Sequence, residues 1–98
     1  MMNVYRIDPY PHLIDDPAWA FSTWRSTLWA MAESAEKARE LAAIKALNSP
    51  PWLEGKKIPL SPWQDPRLTG CVMDNSFTQI APGEVVTSHG QRLGIEEL

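Results

Sequence analysis

Between Ala18 and Asn48 the chain carries neither glycine nor proline, while all nine of its prolines lie outside that window. Proline fixes φ and removes a backbone donor, so regular structure does not run far through segments rich in it. The fold therefore turns on what this window becomes. One unbroken helix is formally allowed. Against it stands "FSTWRSTLW" (21–29), dominated by Ser, Thr, Phe and Trp, which are middling or poor helix formers. The same side chains suit a pleated strand. In that conformation Trp24, Ser26, Leu28 and Ala30 share one face, and Arg25, Thr27, Trp29 and Met31 the other. A tryptophan on each face implies burial on both sides.

Composition switches at Ala32, Glu33 and Ser34. "AEKARELAAIKAL" (35–47) is built almost entirely of strong helix formers, with Ser34 placed as N-cap and Glu36 in the first turn, where an acid suits the helix dipole. Ala38, Leu41, Ala42 and Ile44 form an apolar stripe at helical spacing. Asn48, Ser49, Pro50 and Pro51 end the helix. The window reads as a strand from about Trp24 to Met31, then a helix over about 34–47.

Around it, "NVYRI" (3–7) reads as a first strand ending at Asp8 and Pro9. Asp16 and Pro17 suit the cap and first position of a short helical turn running to Phe21. Residues 49–67 hold Pro50, Pro51, Pro59, Pro62 and Pro66, a long loop that Trp52 and Trp63 are placed to pin to the core. "LTGCVMD" (68–74) reads as a strand with a turn near Asp74 and Asn75. "FTQI" (77–80) and "GEVVTS" (83–88) are further short strand candidates.

The expected architecture is α+β: a small, mostly antiparallel sheet of roughly three to five strands packed against one main helix (about 34–47), with a long Pro/Trp-rich loop. All 98 residues fit one small domain, with an ordered core over about 3–89 and a frayed tail over 90–98. The strand followed by "AESAEKARELAA" (32–43) resembles the strand–helix core of HicB-type antitoxins over about a quarter of the chain. The resemblance extends to that unit alone.

Composition narrows the function classes. Net charge is −3, the nine Lys and Arg are spread out, and duplex nucleic acid usually demands a basic face. No apolar run approaches a membrane span. One cysteine, Cys71, allows no disulfide within the chain, and without a secretory signal the expected compartment is the cytoplasm. His12, His89 and Cys71 do not stand at zinc-ligand spacings. No phosphate-cradling glycine loop or hydrolase motif occurs. Nothing in the sequence calls for a cofactor or a metal.

The leading expectation is a small non-catalytic protein-interaction domain that binds a protein partner or itself. Its candidate surface is Trp29, Trp52, Pro59, Pro62 and Trp63. Lys56, Pro59 and Pro62 in "KKIPLSP" fit a basic polyproline-II docking pattern, and Trp29 stands beside Arg25, a pair of residue types enriched in binding hot spots. The alternative is a small-molecule-binding protein or enzyme whose pocket uses Arg25, Cys71 and His89. A weaker alternative is an antitoxin-like regulator contacting nucleic acid through Arg6, Arg25, Lys56, Lys57 and Arg67.

Overall fold

Strand β1 (Asn3–Pro9) and strand β2 (Leu28–Ala32) form the centre of an antiparallel sheet, with Tyr5 opposite Ala30 and Ile7 opposite Leu28. The fold is that of a computed structural model, which describes residues 2–48 and 60–93. Helix α1 (Ala35–Lys45) follows β2 directly. Strand β3 (Thr69–Met73) then pairs with the outer side of β1, and β4 (Val85–Thr87) with the outer side of β2. The order is β3-β1-β2-β4, every pair antiparallel, with one helix packed on the sheet. The chain is thus a small α+β domain, as its sequence implies.

Alternation assigns the two faces. Tyr5, Ile7, Leu28, Ala30, Ala32, Cys71 and Val85 face α1, whose buried residues are Ala38, Ala42 and Ala43. The alanines let the helix lie close to the sheet. Trp19 and Trp63 fill the remaining volume, 1% and 0% exposed, edge-to-face at 5.3 Å. Side chains of this size bury roughly 150–250 Å² each, so two indoles supply bulk that the small alanines cannot.

Both anticipated caps form. The Ser34 hydroxyl accepts from the Lys37 N–H at 3.1 Å, and Asp16 accepts from the Ala18 N–H at 2.9 Å to start a 3-10 turn over Pro17–Phe21.

Three local expectations are corrected. The helix buries a different stripe: Ile44 is 66% exposed and Leu41 only half-buried, because the alanine line (Ala38, Ala42, Ala46) sets the phase of close approach. β2 begins at Leu28 rather than near Trp24. Upstream, Thr23 N–H donates to Ala46 O at 2.7 Å and Asn48 N–H to Phe21 O at 3.0 Å, so this backbone pairs with the C-terminal end of the helix instead of with β1. "FTQI" is no strand. Asp74 holds the Ser76 N–H and hydroxyl, turning the chain out of the ladder just before it.

Much of the described part of the Pro-rich loop, 60–67, belongs to the core, although Leu60, Pro66 and Arg67 are exposed. Ser61, Pro62, Trp63, Asp65 and Leu68 are buried within successive turns. Residues 90–93, expected in the frayed tail, are paired beside β4: Thr87 N–H donates to Gln91 O at 2.8 Å and Leu93 N–H to Val85 O at 2.9 Å. The rest of that tail, 94–98, lies outside the described residues.

Candidate functional site

The two edges of the sheet are treated differently. β4 is short, buried, and covered along its outer side by Gln91–Leu93. Among the described residues β3 has no such cover. Asp74 N–H donates to Val4 O at 2.7 Å and Tyr10 N–H to Leu68 O at 2.9 Å. With this phase, Gly70 and Val72 direct their backbone groups toward β1, and Thr69, Cys71 and Met73 direct theirs outward. Thr69 is already engaged, its N–H on Asp65 O at 3.1 Å and its carbonyl accepting from Arg39 Nη2 at 3.0 Å. Cys71 and Met73 keep outward N–H and C=O groups without a partner among the described residues. Beside them Val72 is 48% and Met73 56% exposed. The strand "TGCVM" contains neither charge nor proline, the usual means of blunting an edge.

Arg39 fixes where this free edge begins. From the middle of α1 its guanidinium donates to Trp63 O (3.1 Å), Thr69 Oγ1 (2.8 Å) and Thr69 O (3.0 Å), tying helix, loop and β3 together. The sequence reading gave this residue no such part. An arginine within an alanine-rich helix carries no local sign of a partner some thirty residues away.

The sheet face opposite α1 holds Val4, Arg6, Asp8, Trp29, Met31, Val72 and Val86. Its charges are internally matched. Arg6 Nε donates to Asp8 Oδ2 at 2.9 Å, and Nη1 lies 3.6 Å from Asp74 Oδ2. Thr27 Oγ1 donates to Asp8 Oδ1 at 2.7 Å, and Trp29 Nε1 to Asp74 Oδ2 at 3.3 Å. The Asp8 hydrogen bond and charge push Arg6 above its ordinary pKa. Donation first from the Ser76 hydroxyl, then from Trp29, holds Asp74 below the usual carboxylate range. Trp29 stacks on Phe77 at 4.9 Å. Gly70 leaves room for Tyr10, whose hydroxyl would lie 3.2 Å from a Cβ at that position.

Of the expected interaction residues, Trp29 is half-buried on this face. Trp63 and Pro62 are withdrawn from any surface: Trp63 is fully buried and donates from Nε1 to Ser22 Oγ at 2.8 Å, and Pro62 is buried beside it. The Ser61 hydroxyl accepting from the Trp63 N–H and the Arg39 bond to Trp63 O draw this turn inward. Trp52 and Pro59, with Lys56, lie outside the described residues, and so does the docking pattern they complete.

The expected pocket groups are dispersed. Cys71 lies on β3 and His89 just beyond β4, at opposite edges of a four-stranded sheet, roughly 14 Å apart from strand spacing alone. Arg25 is exposed in the loop before β2, and His89 meets Trp24 edge-to-face at 5.9 Å. Burial pushes the Cys71 thiol up, with Arg39 pulling it down more weakly; a nucleophilic thiol needs the reverse. Among the described residues no three His, Cys, Asp or Glu side chains gather to hold a metal, and no helix is long and apolar enough to cross a membrane. Of the cations named for nucleic acid, Arg6 and Arg67 face Asp8 and Asp65; Lys56 and Lys57 lie outside the described residues. An open groove of 430 Å³ between the exposed side of α1 and the end of β2 is lined by Met2, Met31, Lys37, Glu40, Leu41 and Ile44.

No family model, curated protein or solved structure matches the chain.

Proposed function

We propose that this protein is a small non-catalytic protein-interaction domain that binds by accepting an extended strand along the outer edge of β3. The observation that carries the reading is the pair of outward-facing backbone groups at Cys71 and Met73, unpartnered among the described residues and flanked by exposed Val72 and Met73. Unpaired N–H and C=O groups in strand geometry form a template for one more strand. The exposed apolar side chains add pockets and ridges that a partner strand can cover. A reducing compartment such as the cytoplasm suits a chain whose one thiol has no partner within it.

Amide hydrogen exchange tests this directly. In dilute protein the amides of Gly70 and Val72 exchange slowly and those of Cys71 and Met73 quickly. Adding a panel of Val/Thr-rich extended peptides spreads protection to Cys71 and Met73 for at least one of them. Protection of those two amides in the dilute protein alone, or no response to any peptide, overturns the reading.

A further inference from the structure

We infer that the strand accepted at this edge is β3 of a second copy of the chain, docked antiparallel with Val72 facing Val72. This rests on the strand-acceptor reading and names the partner. A two-fold axis normal to the sheet brings the two β3 strands together antiparallel, with both helices on the same side and one sheet running through both copies. Such pairing is productive only where outward-pointing residues face outward-pointing residues, and this leaves few registers.

Centring the axis on Cys71 sets Met73 against Thr69 of the other copy, whose N–H and carbonyl are already held by Asp65 and Arg39. Centring it on Met73 sets Val72 against Asp74, an apolar side chain against a carboxylate, and Cys71 against Asn75, which stands in the turn beyond the strand. Centring it on Val72 sets Thr69 and Asn75, which flank the free stretch, opposite each other and leaves the two free residues to pair. Cys71 and Met73 then face each other across the axis and exchange both backbone hydrogen bonds. Asp74 comes opposite Gly70, so no like charges meet. Val72 meets Val72 as a close, non-hydrogen-bonded pair on the open face, and the Met73 side chain covers Cys71 on the helix face. The two most exposed apolar groups of the strand are thereby the two that this register covers.

The experiment combines sedimentation and cross-linking on the full chain. Sedimentation from about 1 µM to about 300 µM shows a monomer–dimer transition, and Val72→Lys, which places two ammonium groups directly opposite each other, weakens it at least about ten-fold. Val72 is half-exposed in the monomer and lies opposite Arg6, which Asp8 and Asp74 already neutralise, so Val72→Lys lowers the circular-dichroism melt only slightly and the monomer stays folded. In a Cys71→Ala background, Val72→Cys gives a disulfide-linked dimer on mild oxidation, because the close pair suits disulfide geometry. Met73→Cys in that background does not, its counterpart lying two residues off register. Cross-linking at 73 in preference to 72 overturns the register. A protein that stays monomeric throughout overturns the self-association; if peptides still protect Cys71 and Met73, the strand-acceptor reading survives it, and if none does, both fall.

Discussion

Arg39→Met separates the structural clasp from ordinary helix packing. Methionine keeps an unbranched stem of similar length and a high helix propensity, so the change removes the guanidinium and little else. Three donated hydrogen bonds disappear: to Trp63 O, Thr69 Oγ1 and Thr69 O. The Thr69 hydroxyl still has Pro62 O and Asp65 O within reach. The two carbonyls belong to residues that are 0% exposed, and a buried acceptor left unpaired costs about 1–3 kcal/mol. Part of this is offset because the guanidinium no longer has to be desolvated. The net expectation is a loss of about 2–4 kcal/mol, a large share of the roughly 5–15 kcal/mol available to a domain. With a urea m-value of about 2 kcal/mol/M, the unfolding midpoint followed by tryptophan fluorescence falls by about 1–2 M. Arg39→Lys retains charge but not the planar fork, and loses about half as much. The exposed Arg92–Glu84 pair serves as control: Arg92→Ala costs about 0–1 kcal/mol. An Arg39→Met midpoint indistinguishable from that of Arg92→Ala, or a lysine as good as arginine, refutes the clasp.

Trp63→Phe destabilises by about 1–2 kcal/mol more than Trp19→Phe in the same denaturation assay: Trp63 Nε1 has Ser22 Oγ as acceptor, whereas the buried Trp19 Nε1 has none among the described residues. Asp65, Asp74 and Glu84 all have folded-state pKa values below the ordinary one, through hydrogen bonds led by Arg67, Ser76 and the Ala81 N–H respectively. Their contribution is therefore fully present above the usual carboxylate range, about pH 4, and is lost as pH falls through the depressed values. Thermal melts should hold steady from pH 7 to about pH 5 and drop below pH 4, and Asp65→Asn should flatten that drop. Cys71, raised by burial, reacts with a disulfide reagent at pH 8 at least about ten-fold more slowly in the native state than in urea; equal or faster native reaction would reopen the nucleophilic alternative.

Secondary structure was legible in the sequence wherever a residue type acts locally. Ser34 and Asp16 cap because their side chains reach the next turn whatever else surrounds them. "AEKARELAAIKAL" marked the helix because alanine-rich runs favour it, whereas "FSTWRSTLW" announced a strand that takes up only its last two residues, β2 being "LWAMA". What failed depended on partners distant in sequence. Ile44 outranks Ala46 in hydrophobicity, yet the helix buries the alanine, since distance to the sheet rather than transfer energy selects the stripe. Trp63 looked like a docking residue in a proline-rich loop, and the Ser22 hydroxyl that holds it lies 41 positions away. The bare edge was equally hidden. "GCVM" shows an uncharged strand, but whether a strand lies at an edge is decided by pairing order.

That order also explains why this edge, and not the other, is left open. After β4 the chain turns at Gly90, with φ of 79°, a conformation that costs glycine little, and Gln91–Leu93 lie back along the strand they have just left. Among the described residues β3 has no equivalent segment to spare. The residues before it are folded into the turns that bury Pro62 and Trp63, and Arg39 and Asp65 fasten its first residue in place. The residues after it must travel from one edge of the sheet to the other, and Phe77 seals part of that path by stacking on Trp29. The described flanking residues are thus committed elsewhere, and a single charged side chain at position 72 would have guarded the edge. The strand carries valine there instead, which makes the free backbone groups and the apolar side chains beside them one continuous surface, complementary to another extended strand and best matched by its own.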